Sequence, residues 1–288
     1  MGGGLTMPDY QEQIASLEKE LSALNSPPRV MPNTTVFTET KNCYLHGEFE
    51  MRTRKADMFN RVMSHTSCPG CTKDEIAKLK NLLLKESERR REFETVRLME
   101  LLGIPDRFKS VTLDNYQADN SEAVRCLKLC KAYVSKWPER LKQGGGLVMC
   151  GKPGTGKNHL AFAIAKQVIA DHQSCARFTS ALRIARNFKS TWSKTAEKTE
   201  AAVIEEYTYP DLLIIDEIGV QFGSDAEKMI LFEIINNRYE DMKPTILISN
   251  LPKDELSAFI GERVIDRMND GGGCTLAFTW DSYRSRAA

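Results

Sequence analysis

The sequence predicts an α/β fold, a parallel β-sheet flanked by helices, preceded by a smaller N-terminal region of different character. Three observations carry this expectation. First, residues 147–150, 212–215, 245–249 and 275–278 are continuous apolar runs rather than alternating ones, as in strands buried on both faces. Second, helix-like stretches separate those runs, which is the order of an α/β layer architecture. Third, the glycine-rich turn 151–157 lies between the first run and the helical stretch Leu160-Ala161-Phe162-Ala163-Ile164-Ala165.

A chain of 288 residues suggests about two domains at roughly 150 residues each. We place the boundaries at 1–40 for a helix and linker, 41–105 for a small module plus a long helix, and 106–288 for the α/β domain. Lys and Arg total 40 against 39 Asp and Glu, a net charge of +1. A globally basic nucleic-acid surface is therefore excluded, and any such surface must be local. Collagen-like, wholly disordered and membrane-spanning classes do not fit a chain that is 41% hydrophobic and 27% charged. The N-terminus has no basic region followed by an apolar one, so a secretory signal is not expected. MGGGLT matches a myristoylation pattern, but nothing else points to a membrane. The expected location is the cytoplasm.

Met7, Tyr10, Ile14, Leu17, Leu21 and Leu24 alternate at spacings of three and four, an a/d seam on a short helix. Such a seam serves either packing within the chain or docking of a partner. Asn25-Ser26-Pro27-Pro28 ends it, and a linker is expected to about Thr40. Residues 41–71 form a polar, basic module. Residues 73–102 read as one helix with an apolar face of Ile76, Leu79, Leu83, Phe93, Val96, Met99 and Leu102. Arg89-Arg90-Arg91 is offset by Glu86, Glu88, Glu92 and Glu94, as on a solvated helix face. Gly103-Ile104-Pro105 stops the helix.

Within the module, Cys43 and His46 form C-x₂-H, and Cys68 and Cys71 form C-x₂-C, 21 residues apart. Two pairs of soft or borderline ligands suit tetrahedral Zn²⁺, and with four protein ligands the site should be structural. His65 lies too close to Cys68 to replace His46 comfortably. Unrelated thiols or a redox CxxC are the alternatives. Arg52, Arg54 and Lys55 between the pairs read as a solvated loop or as a DNA contact. The other cysteines, Cys126, Cys130, Cys150, Cys175 and Cys274, are expected to be reduced buried thiols.

Gly151-Lys152-Pro153-Gly154-Thr155-Gly156-Lys157 follows a strand and opens a helix, the context a phosphate loop requires. Glycines let backbone N–H groups face the phosphates. The helix N-terminus adds partial positive charge, and Lys157 reaches the β- and γ-phosphates. Asn158 stands where Ser or Thr usually binds Mg²⁺, so the cation should be held less firmly and hydrolysis should be slow. His159 completes the segment. The strand 212–215 ends in Asp216 and Glu217. Asp216 would hold Mg²⁺, and Glu217 would act as general base on the attacking water. Asn250, at the tip of the strand 245–249, would position that water.

These motifs resemble the AAA+ P-loop ATPases. Together GKPGTGKNHLA, LLIIDEIGVQ, GERVIDRM and the tail WDSYRSR look like the DnaC-type bacterial helicase loaders over residues 106 to the end. The resemblance implies an AAA+ domain with little or no separate helical lid. It implies ATP or ADP as ligand with Mg²⁺, and slow hydrolysis of ATP to ADP and phosphate. It also implies a DnaB-type ring helicase as partner, single-stranded DNA as the delivery site, and self-association through AAA+ interfaces. An arginine finger is implied in 261–268, Arg267 first and Arg263 second. In the loaders a helical insertion near 183–194 lines the DNA face. Here Arg183, Arg186, Lys189, Trp192 and Lys194 suit a single-strand groove, whereas Ile184, Phe188 and Trp192 suit a core face equally well. The metal module departs from the plain cellular loaders and resembles N-terminal regions of phage and prophage loader-like proteins. Two rival readings remain. One is a transposition helper of the IstB type. The other is a nucleotide-gated adaptor with negligible turnover.

Overall fold

The computed structural model describes residues 9–59, 61–219 and 225–283. Met7, the MGGGLT segment, the last two residues of the LLIIDEIGVQ block and residues 284–286 of the tail lie outside them. The chain forms two compact units, residues 1–92 and 93–288.

In the first unit, α1 (Tyr10–Leu24) is capped by Asp9, whose side chain accepts from the N–H groups of Gln11 and Glu12. Its apolar seam is consumed within the chain. Ile14 is buried with Ile76 and Leu79 of α2 (Pro69–Leu102), and Tyr10, Leu17, Leu21 and Leu83 pack around them. A separate docking role for that seam is thereby removed.

The expected linker to Thr40 is shorter. The chain enters β1 (Thr34–Cys43), then β2 (Gly47–Ala56) and β3 (Arg61–His65), an antiparallel sheet of order β1-β2-β3. Threonine-rich alternation in 34–40 is the strand signal. Arg52 and Arg54 sit on β2 and not on a solvated loop. Arg52 donates to the carbonyls of Ala23, Leu24 and Ser26 at the end of α1, where cations are favoured. Arg54 donates to Thr34 Oγ1 and to the Arg29 carbonyl. Lys55 lies over the Phe37 ring at 5.4 Å. These intramolecular bonds take Arg52 and Arg54 out of the DNA reading.

The long helix forms as expected, and Ile76, Leu79 and Leu102 of its expected apolar face are buried. Phe93 and Val96 are exposed, while Leu98 and Leu102, one turn apart, are buried in the core of the second unit.

The second unit continues through a 3-10 turn (Asp106–Phe108), α3 (Ser121–Ser135), α4 (Trp137–Gln143), β4 (Leu147–Gly151), α5 (Lys157–His172), β5 (Ala176–Ser180), α6 (Ala181–Ser190), α7 (Glu200–Thr208), β6 (Leu212–Ile218), α8 (Asp225–Glu240), β7 (Thr245–Ser249), α9 (Lys253–Ile260), α10 (Glu262–Asn269) and β8 (Cys274–Phe278). The five strands are parallel in the order β5-β6-β7-β4-β8. Both faces are covered. Leu147, Met149, Phe162, Ile214 and Ile246 belong to one apolar cluster, and Val148, Ile184, Leu213, Ile234 and Leu247 to the other. That double burial is why the strands read as unbroken apolar runs. Because β4 lies between β7 and β8, the chain leaves it toward one side and returns on the other. Ligands bind at such a switch point, outside the carboxyl ends of the strands.

Arg238 of α8 is fully buried. Its guanidinium donates to Thr245 Oγ1 and to the carbonyls of Tyr207, Thr208, Pro210 and Pro244. Burial lowers its pKa to about 9. The group ties α8 to the entries of β6 and β7, satisfying carbonyls that water cannot reach.

Candidate functional site

A cleft of about 620 Å³ opens at the carboxyl ends of β4, β6 and β7. Its walls include residues 153–159, Asp216, Glu217 and Asn250, so most of the chemistry-bearing positions expected from sequence converge here. Gly151 and Lys152 precede it at the end of β4.

The loop turns on two glycines in left-handed backbone. Gly154 and Gly156 have φ of +74° and +91°, values that L side chains rarely adopt. Lys157 is 5% exposed, and its Nζ donates to the Gly151 and Lys152 carbonyls, each at 2.7 Å. Burial lowers its pKa to about 8. It therefore waits inside the loop, bonded to neutral carbonyls, where a phosphate would offer it full charges.

Asn158 Nδ2 donates to Asp216 Oδ2 at 2.6 Å, and Asp216 Oδ1 accepts from the Glu217 N–H at 2.7 Å. Burial raises the Asp216 pKa, and these two hydrogen bonds oppose it. With its nitrogen committed to Asp216, Asn158 offers only its amide oxygen to a cation. A carboxylate and an amide oxygen are hard donors and fit Mg²⁺. Glu217 itself sits at φ +62°, at the irregularity where β6 loses register with β7. A left-handed glutamate at the end of a strand is strained, and strain of this kind concentrates at functional sites. Asn250 faces the cleft. Ser249 does not serve it. Its hydroxyl is buried and donates to the Ile218 carbonyl at 2.6 Å.

Sequence reasoning missed two walls of the cleft. One is the segment before α3, with Arg107, Phe108, Asn115, Tyr116, Gln117, Asp119 and Asn120. The other is the C-terminal segment with Trp280, Asp281 and Tyr283, in which Lys152 pairs with Asp281 at 3.0 Å and the Tyr283 N–H donates to the Gly154 carbonyl at 3.0 Å. Polar residues just before α3 were the available signal for the first, and the WDSYRSR block for the second. His159 lines the cleft beside this first wall. Its Nε2 lies 2.9 Å from the Thr112 carbonyl, and burial lowers its pKa.

The two arginines differ. Arg267 donates to Asn236 Oδ1 and stacks on Tyr239 at 5.0 Å. Arg263 is exposed, and among the described residues it has no hydrogen-bond or ion-pair partner. Neither pairs with Glu262 or Asp266. After β5, α6 buries Ile184, leaves Phe188 half-buried and ends at Ser190. Trp192 is therefore beyond the helix. It is 57% exposed, edge-on to Phe188, with its ring N–H donated to Glu200 at 2.8 Å. The core-face reading holds for Ile184 and fails for Trp192. Arg183, Arg186, Lys189 and Lys194 are exposed.

In the first unit, Cys43, His46, Cys68 and Cys71 bring their ligand atoms within 4.8 Å of one another. Cys43 Sγ lies 3.5 Å from Cys71 Sγ, and His46 Nδ1 lies 3.6 and 3.4 Å from the two sulfurs. Tetrahedral zinc with bonds of about 2.0–2.3 Å requires separations of roughly 3.3–3.8 Å. His46 Nε2 pairs with Asp74 at 3.0 Å, which fixes the ring with Nδ1 toward the cysteines. The hydrogen bond from His46 lowers the Cys43 pKa, favouring its thiolate, and the hydrogen bond with Cys43 in turn raises the Cys71 pKa. A Cβ at Gly70 would meet the His46 ring, so the Cys-Pro-Gly-Cys turn needs its glycine. His65 is exposed on β3 and stands outside the cluster.

The family model for IstB-like ATP binding protein matches residues 72–285. The replicative helicase loader DnaC of Buchnera aphidicola subsp. Acyrthosiphon pisum (strain APS) is 38% identical over 182 residues, 63% of this chain and 72% of that protein. The replicative helicase loader DnaC of Escherichia coli (strain K12) is 34% identical over 184 residues, 64% and 73% of the respective chains. A crystal structure of the DnaC helicase loader shares the fold, with a TM-score of 0.53 at 24% identity, covering 60% of this chain and 99% of that one.

Proposed function

This chain belongs to the IstB-like ATP-binding family and, within it, to the DnaC-type helicase loaders; from that premise we propose that it binds a DnaB-type replicative ring helicase and delivers it onto single-stranded DNA, with ATP binding and hydrolysis as the switch. The family is one of ATP-binding ATPases. The observation that carries the proposal is the convergence of Lys157, Asn158, Asp216, Glu217 and Asn250 on one cleft, in a chain whose relatives are helicase loaders.

The arrangement of the cleft supports the following roles. ATP places its phosphates in the loop 151–157, and Lys157 exchanges two carbonyls for phosphate oxygens. Asp216 and the Asn158 amide oxygen would hold Mg²⁺, whose charge would offset that of the phosphates. Glu217 takes the proton of the attacking water, which Asn250 positions. Self-association completes the site with an arginine from a neighbouring copy. Arg267 is first, released from Asn236 on assembly, and Arg263 stands one turn away. Trp192 and the cations of 183–194 meet the single strand. Cys43, His46, Cys68 and Cys71 would hold zinc, which would cross-link the N-terminal module as a structural ion.

Native mass spectrometry of the protein with its host's replicative helicase, in ATP and in ADP, tests the reading. A complex of defined stoichiometry is expected, with one zinc per chain. Absence of a complex under either nucleotide overturns the loader role. A complex with a transposase instead would support the IstB-type helper, which shares this core.

A further inference from the structure

Tyr116 is buried against the phosphate loop, and no motif contains it. Its ring stands at 2.5 Å from where a Cβ on Gly156 would sit, so the two positions fit only because residue 156 is glycine. Its hydroxyl donates to the Thr155 carbonyl at 2.9 Å, and burial raises its pKa, keeping the proton on the donor. The ring also meets His159 edge-on, with centroids 5.2 Å apart. The segment that carries Tyr116 is itself fixed. Asn115 Oδ1 accepts from the Thr112 N–H, the Asn115 N–H is donated to Thr112 Oγ1, and Asn115 Nδ2 donates to the Ser110 carbonyl. Lys166 of α5 holds the Lys109 and Val111 carbonyls.

In a trans peptide the C=O and the following N–H point in opposite directions. With the Thr155 carbonyl held by Tyr116, the Gly156 N–H is fixed on the opposite side of that peptide. That N–H is one of the donors a phosphate loop offers to a polyphosphate. The 155–156 peptide turns by changing ψ of residue 155 and φ of residue 156 together, and glycine at 156 opposes that turn least. A donor outside the loop is therefore needed to hold it.

We propose that Tyr116 is a positioning residue that orients the Gly156 N–H toward the β-phosphate of a bound nucleoside di- or triphosphate. This inference rests on the ATP-binding reading of the cleft. Tyr116→Phe keeps the ring and removes the donor. Displacement of a fluorescent ADP analogue would give the affinities of ADP, inorganic pyrophosphate and AMP, and a thermal melt would confirm the fold. The expected result is a three- to tenfold loss for ADP, a matching loss for pyrophosphate, and no change for AMP, which lacks a β-phosphate. The Gly156 amide resonance should shift on ADP binding in the parent and shift less in the variant. Unchanged ADP affinity overturns the proposal. So does an equal loss for ADP and AMP, which would place Tyr116 at the base or in general packing. A parent protein that binds no ADP overturns the nucleotide reading beneath it.

Discussion

Nucleotide binding should take up a proton at Lys157. The ammonium is buried, donates to the uncharged carbonyls of Gly151 and Lys152, and has its pKa lowered to about 8 by burial. Several phosphate charges would restore it toward or above the ordinary lysine value. At pH 8.5 about three quarters of the free protein carries neutral Lys157, so binding ADP should take up roughly 0.8 proton. Between pH 7.5 and 9.5 the charged fraction falls about 25-fold, and the apparent affinity should fall by the same factor. ADP is fully ionised through this range, so the titration belongs to the protein. Calorimetry in buffers of different ionisation enthalpy at pH 8.5 measures the uptake directly. Lys157→Arg, which does not titrate here, should bind with a flat pH profile. A buffer-independent heat in the parent, or an unchanged slope in the arginine variant, would refute the reasoning. Stability has the matching sign. Folded Lys157 gives up its proton at a lower pH than in the unfolded chain, which holds more protons between about pH 8 and 10.5. The nucleotide-free protein should therefore gain stability from Lys157 as pH rises through that window.

Glu217→Gln should keep ATP affinity and slow hydrolysis at least ~100-fold, as read by phosphate release; unchanged turnover would favour the nucleotide-gated adaptor. Arg238→Ala strands buried carbonyls on the entries of β6 and β7 and should cost about 3–5 kcal/mol in urea denaturation, and a loss under 1 kcal/mol would contradict the role given to it. Trp192→Ala should weaken single-stranded DNA binding by about 1–3 kcal/mol if bases stack on the exposed ring, measured by fluorescence anisotropy; equal affinities would remove Trp192 from the interface. Cys71→Ser should lose metal by elemental analysis and lower the melting temperature of the N-terminal unit, since a structural site supplies folding energy; a zinc content equal to the parent's would exclude the four-ligand site.

The local signals were strong where one short stretch carries both structure and chemistry. The phosphate loop is legible because glycines, a lysine and a helix start must be contiguous there. The strand ending in Asp216 and Glu217 is legible because double burial forces an apolar run and the site forces the carboxylates at its end. The paired Cys and His spacing reads for a similar reason, since a tight turn must aim two donors at one point. Contiguity failed as a guide elsewhere. Alternating threonines in 34–40 looked like a linker because both neighbouring strands had to be known before the sheet could be recognised. Phe93 and Val96 share the composition of a core face, yet the face is set by what stands opposite the helix, and Leu98 meets the core beside the expected Leu102.

By itself, the sequence determined the fold class, the glycine-rich loop between β4 and α5, the acidic strand end and the paired Cys/His spacing, because each is a local pattern with a fixed spacing. Tertiary structure alone decided the rest. It spent the α1 seam on α2, turned Arg52 and Arg54 inward to backbone carbonyls, set Arg267 on Asn236 and Tyr239, and closed Asn158 onto Asp216 across 58 residues. It also brought Tyr116 to the Thr155 carbonyl. Those choices depend on which groups distant parts of the chain leave unpaired. A buried carbonyl or carboxylate takes the nearest donor in space, and nearness in space is what a linear sequence does not contain.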